Sequence, residues 1–140
     1  MKTVIIYWTG SGNTGKMAEL IAEGLKSKGA MVESFLVSAA NLDMVADADL
    51  VLLGSPSMGM EVVEEFEMEP FVASLEGKIQ GKKMALFGSY GWGDGQWIRD
   101  WEERMKGYGA KIELESLGIQ GEPTGSDAEN CIAFGVALAN

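Results

Sequence analysis

The sequence predicts an α/β domain: a doubly wound, parallel sheet of five strands with helices on both faces. Three observations lead there. Short continuous apolar runs recur along the chain, segments of helical periodicity separate them, and the loops that follow the runs are rich in glycine and hydroxyl side chains. A strand covered on both faces reads as an unbroken apolar run rather than an alternating one. Strands alternating with helices over short connections imply parallel βαβ crossovers, whose right-handedness winds helices onto both faces of the sheet.

Val4, Ile5, Ile6, Tyr7 and Trp8 form the first run. Met17, Leu20, Ile21, Gly24 and Leu25 then recur at helical spacing, with Asn13 as N-cap and Gly29 just past the end. A weaker strand spans Met31 to Val37, and Leu50 to Leu53 and Met84 to Phe87 repeat the first run. Trp97, Ile98, Trp101 and Met105 mark a further helix. Ala110 to Ile119 holds a weaker strand, and Ile132, Gly135, Val136 and Ala139 mark a helix near the C-terminus. A length of 140 residues supports one hydrophobic core. No proline-rich linker, low-complexity tract or long repeat marks a second domain, so residues 1–140 read as one unit.

Composition narrows the chemistry. Histidine is absent, which removes the commonest general base and metal ligand along with Ser-His and Cys-His nucleophiles. Cys131 is the single cysteine, so redox chemistry must come from a bound cofactor, and no metal site is expected. Asp and Glu number 21 against 11 Lys and Arg, a net charge of -10. That field repels nucleic acid and anionic membranes and suits a protein partner with a basic face; the plainer reading is solubility. No apolar run approaches the roughly 20 residues that span a bilayer. The short stretch after Lys2 is no signal-peptide core, and cytoplasm is the expected compartment.

In a doubly wound sheet, ligands bind beyond the carboxyl ends of the strands where strand order reverses. The loop after the first run reads Thr9, Gly10, Ser11, Gly12, Asn13, Thr14 and leads into a helix. Glycines admit a ligand close to the backbone, successive amides converge on an anion, and the helix N-terminus adds partial positive charge. Thr9, Ser11, Asn13 and Thr14 add neutral donors, which completes a phosphate-binding layout.

The same residues admit other readings. Gly10, Gly12 and Gly15 spell GxGxxG, with Glu33 downstream as a ribose-binding acid, although a dinucleotide dehydrogenase normally needs a second domain and a proton-transfer residue. Gly10, Gly15 and Lys16 match most of a triphosphate loop. However, Met17 stands where that loop needs a magnesium-binding hydroxyl, and Gly54 rather than aspartate follows the third strand. A purely structural turn accounts for the glycines but not for four hydroxyl or amide side chains in six residues.

The second loop reads Gly54, Ser55, Pro56, Ser57, Met58, Gly59, Met60, Glu61, and the third Gly88, Ser89, Tyr90, Gly91, Trp92, Gly93, Asp94, Gly95. Such loops bring backbone donors close to a flat ligand, and Trp92 reads as a stacking platform. Tyr7, Trp8, Trp97 and Trp101 read instead as core or helix-face aromatics. The methionines other than Met58 and Met60 read as core packing, and Cys131 as a buried helix residue.

These three loops closely resemble those of short-chain flavodoxins, as in Thr9-Gly-Ser-Gly-Asn-Thr14, Met58-Gly-Met-Glu61 and Gly88-Ser-Tyr-Gly-Trp-Gly-Asp94. The resemblance covers essentially the whole chain, including the acidic stretch Glu64 to Pro70 and the Cys131-containing helix, without the long insertion of long-chain relatives. It implies a flavodoxin-like sheet of order 2-1-3-4-5. It also implies a monomeric, low-potential one-electron carrier that holds FMN non-covalently and shuttles electrons between redox proteins with basic docking faces, without substrate turnover.

On the same resemblance, Thr9, Ser11, Asn13 and Thr14 would hold the phosphate with the amides of Gly10 and Gly12. Met58 and Trp92 would cover opposite faces of the isoalloxazine, and Glu61 would accept a hydrogen bond from its imide. Ser57, Ser89, Tyr90, Gly91 and Gly93 would add contacts. The peptide following Gly59 reorients in the family on one-electron reduction. Met60 departs from the small or polar residue that relatives often have there, and Gly121 from an asparagine found in some. The alternative within the fold is an FMN-dependent quinone reductase, although those relatives usually carry extra loops for which this length leaves no room. A nicotinamide-dinucleotide domain stands third.

Overall fold

The computed structural model describes residues 1–58, 63–91 and 93–139. Strands β1 (Lys2–Tyr7), β2 (Met31–Leu36), β3 (Leu50–Gly54), β4 (Lys83–Tyr90) and β5 (Leu117–Gln120) form one sheet. All its pairings are parallel, and the order is β2-β1-β3-β4-β5. Helices α1 (Asn13–Ser27), α2 (Leu42–Asp47), α3 (Met68–Ser74), α4 (Gln96–Gly107) and α5 (Ser126–Leu138) alternate with the strands. Register sets Val4 beside Glu33 of β2 and Val51 of β3.

Alternation within each apolar run sorts its side chains between two layers. Val4, Ile6, Val51, Leu53, Met84 and Leu86 pack with Val45 of α2, Val72 of α3 and Trp97, Trp101 and Met105 of α4. Ile5, Leu50, Leu52, Ala85 and Phe87 pack with Met17, Ile21 and Leu25 of α1 and Cys131 of α5. Each fully buried side chain of this size stabilises the fold by about 1.5–3 kcal/mol relative to exposure. Trp97 and Trp101 are core residues as expected, their ring centroids 6.1 Å apart.

Several expectations need correction. Gly12, not Asn13, caps α1: its φ of 99° is open to glycine, and Asn13 is already the first helical residue. The predicted strand from Ala110 shrinks to Leu117–Gln120, with one isolated bridge between Lys83 and Lys111. The Glu102 carboxylate takes the Ser116 amide at 3.1 Å and its hydroxyl at 2.7 Å, so strand pairing begins only at the next residue. Met17, Met68, Met84 and Met105 are buried, but Met31 is 70% exposed at the start of edge strand β2, and Met1 is exposed too.

α1 and α5 lie against each other at two glycines. A Cβ on Gly24 would overlap the Ile132 carbonyl oxygen, and one on Gly135 would overlap the Ile21 carbonyl oxygen. The two backbones meet where neither carries a side chain. This contact fixes α1, and with it the loop that opens α1.

Candidate functional site

The parallel ladder continues past the strand ends and lays three loops side by side. The Trp8 amide donates to the Gly54 carbonyl (3.0 Å), Ser55 to Phe87 (3.2 Å), Ser57 to Ser89 (2.9 Å) and Gly121 to Tyr90 (2.9 Å). The loops therefore gather beyond the carboxyl ends of β1, β3 and β4, where strand order turns back between β1 and β3.

The first loop closes on one hydroxyl. Thr9 Oγ1 accepts hydrogen bonds from the Gly12 amide (3.1 Å) and the Gly15 amide (3.2 Å). Thr14 is buried, and its Oγ1 lies 2.8 Å from Ser89 Oγ, a bond that joins the first loop to the third. Lys16, the cation of the triphosphate pattern, extends its Nζ to Glu122 Oε1 at 3.3 Å.

The second loop is tied at its base. Ser55 Oγ accepts from the Glu64 amide (3.0 Å) and donates to the Pro56 carbonyl (2.9 Å). The Glu64 carboxylate, 2% exposed, accepts from the amides of Phe66 (2.8 Å), Glu67 (2.7 Å) and Met68 (2.9 Å), which satisfies orphan donors at the start of α3. Glu67 Oε1 in turn accepts from Trp8 Nε1 at 3.0 Å, which links this turn to the first loop.

Between the loops lies a cleft of about 320 Å³. Of the residues singled out in the sequence, Gly10, Ser11, Asn13, Ser57, Met58, Ser89, Tyr90 and Gly91 line it, together with Trp8, Pro56 and Gly121. Thr9, Gly12 and Thr14 frame the loop behind that lining, and Gly93 falls outside it. Gly59, Met60, Glu61 and Trp92 lie outside the described residues. Trp8, expected as a core or helix-face aromatic, packs on the core and also walls the cleft. Its position as the last residue of the first run was the available signal.

Among the described residues no charged side chain belongs to this lining, and its donors are amides, hydroxyls and a carboxamide at the N-terminus of a 15-residue helix. That donor set fits a phosphate monoester, and the thioether, phenol and indole around it fit a planar ring. A larger cleft, about 640 Å³, lies against α2 and β2, but Glu33, Asp43 and Asp47 line it and its Lys2 is paired with Asp47. It offers an anion nothing comparable.

The sheet order and this cleft place the protein among the doubly wound α/β proteins that bind a nucleotide phosphate at the switch point. The Flavodoxin family model matches residues 5–135. The chain is 52% identical over 136 residues to a flavodoxin of Clostridium beijerinckii, across 97% of this chain and 98% of that one. To a flavodoxin of Megasphaera elsdenii it is 47% identical over 108 residues, across 77% and 79%. The solution structure of two-electron reduced Megasphaera elsdenii flavodoxin matches with a TM-score of 0.88 at 42% identity, over 98% of both chains. The chain belongs to the flavodoxin family and is an FMN-binding electron carrier rather than an enzyme.

Proposed function

We propose that FMN lies in the cleft with its phosphate at the first loop, against the amides of Gly10 and Gly12 and the side chains of Thr9, Ser11, Asn13 and Thr14. Met58 and Trp92 cover the two ring faces, Glu61 receives the ring imide, and Ser57, Gly59, Met60, Ser89, Tyr90, Gly91 and Gly93 complete the surround. When bound, FMN supplies the one-electron chemistry, which the chain's own side chains lack. The amide, hydroxyl and carboxamide donors gathered at the N-terminus of α1 are the observation that carries this reading.

The carboxylate excess disfavours further negative charge in the site and so lowers the potential of the second electron. It also supports redox partners with basic docking faces and opposes self-association, in keeping with a monomer. No helix among the described residues is long and apolar enough to cross a membrane, which accords with a cytoplasmic carrier.

Asn13→Asp tests the phosphate locus by setting a carboxylate beside it. FMN affinity should fall by at least about tenfold, or 1.4 kcal/mol, while riboflavin, which lacks the phosphate, should bind as before. Equal losses for both ligands would move the phosphate away from this loop. Wild-type protein should be yellow and release FMN on denaturation.

A further inference from the structure

Phe66 is 87% exposed, the most exposed large apolar side chain among the described residues. Its neighbours Glu65 and Glu67 are exposed as well. The backbone beneath the ring is pinned: the Phe66 amide donates to Glu64 Oε2 at 2.8 Å, and the Glu67 amide to Glu64 Oε1 at 2.7 Å. The Glu67 carboxylate then holds the indole of Trp8, a wall of the cleft. A phenyl ring thus stands in water on an ordered turn, one residue from the link to the cleft rim, with a carboxylate on each side in sequence.

We infer that Phe66 is the docking anchor of the electron-transfer surface, an aromatic plug for an apolar pocket rimmed by lysine or arginine on a redox partner protein. This rests on the FMN site proposed above. An aromatic at the centre of a patch supplies contact area that a charged rim cannot, while the rim sets orientation and encounter rate. The flanking carboxylates select a basic rim. A second copy of this chain, also at -10, would bring like charges together, and an anionic membrane would be repelled.

The test uses FMN-loaded protein reduced with dithionite, freed of excess reductant and mixed with ferric cytochrome c, a lysine-rich protein with an apolar exposed haem edge. One electron passes from the reduced protein to each ferric haem. Phe66→Ala should lower the second-order rate constant by about fivefold or more at every ionic strength, whereas Phe66→Leu should stay within about twofold of wild type. Glu65→Gln should cause a loss that vanishes as salt rises. FMN affinity should match wild type in all three variants, and both reduction potentials should match it in the two Phe66 variants.

A Phe66→Ala rate within about twofold of wild type would overturn the inference. So would a shift in potential that accounts for the slower rate, since Phe66 would then act on the cofactor. A wild-type dimer dissolved by Phe66→Ala in sedimentation would assign the ring to a second copy instead. A wild-type protein that failed to load FMN or to reduce cytochrome c would remove the proposed site along with the anchor.

Discussion

The 2.8 Å contact between Thr14 and Ser89 joins loops 75 residues apart in sequence, and both side chains are buried. Removing one partner leaves the other hydroxyl without a bond, a penalty of about 1–3 kcal/mol. Ser89→Ala should therefore lower the stability of FMN-free protein by that amount in a urea titration. The loss should be smaller with FMN bound, because phosphate oxygens offer Thr14 another acceptor. Equal losses in both forms would mean that Thr14 does not meet the phosphate. The Thr9 hydroxyl was legible in the sequence because it acts close to where it stands, on the amides of Gly12 and Gly15, whereas the pairing of Thr14 with Ser89 needed the fold. Trp8 and Glu64 were not legible: Trp8 meets Glu67 across 59 residues, and Glu64 works through a turn that its own carboxylate holds together.

At the scale of elements, α1 and α5 meet through Gly24 and Gly135. In an exposed helix, alanine is more favourable than glycine by about 1 kcal/mol. Here the added methyl meets the Ile21 carbonyl oxygen, and overpacking of this kind costs about 1–3 kcal/mol or more. Gly135→Ala should therefore destabilise the protein in thermal or urea unfolding; a higher midpoint would show that the helices part without cost. The long apolar runs and the periodic helices α1, α4 and α5 were visible in the sequence because each spans enough residues to show its period. Helices α2 and α3, six and seven residues long, show none, although Asn41 caps α2 by accepting from the Met44 amide at 2.9 Å.

Across the whole molecule, charge sets how stability responds to acid. The Arg104 guanidinium grips Glu69 through bonds of 2.6 and 2.7 Å and holds its carboxyl below the ordinary value of 4.5. A depressed carboxyl favours the folded state when ionised, so this contribution is fully present above about pH 4.5 and is lost as pH falls through the lower folded value. Both side chains are partly exposed, so screening limits it to about 1 kcal/mol or less. Glu69→Gln should lower stability above that range and make it fall less steeply below. An acid limb identical to wild type would mean that the pair contributes nothing. The net charge was legible from composition, but the pairing of Glu69 with Arg104, which bridges α3 and α4, needed the fold.

Chain order separates the parts that assemble this site. The loop at Thr9 to Thr14 comes early in the chain, yet α1, the helix that opens from it, finds its close partner only in α5, the last element. A chain cut before Ser126 would carry all three loops and lack that brace, so it should hold FMN less tightly than the 140-residue chain in a fluorescence titration. Cys131 arrives on the same helix and faces the same interior; burial, with the charge of Asp127, pushes its thiol up to about 11. A buried Cys131 therefore reports that α5 is seated on the layer that holds α1.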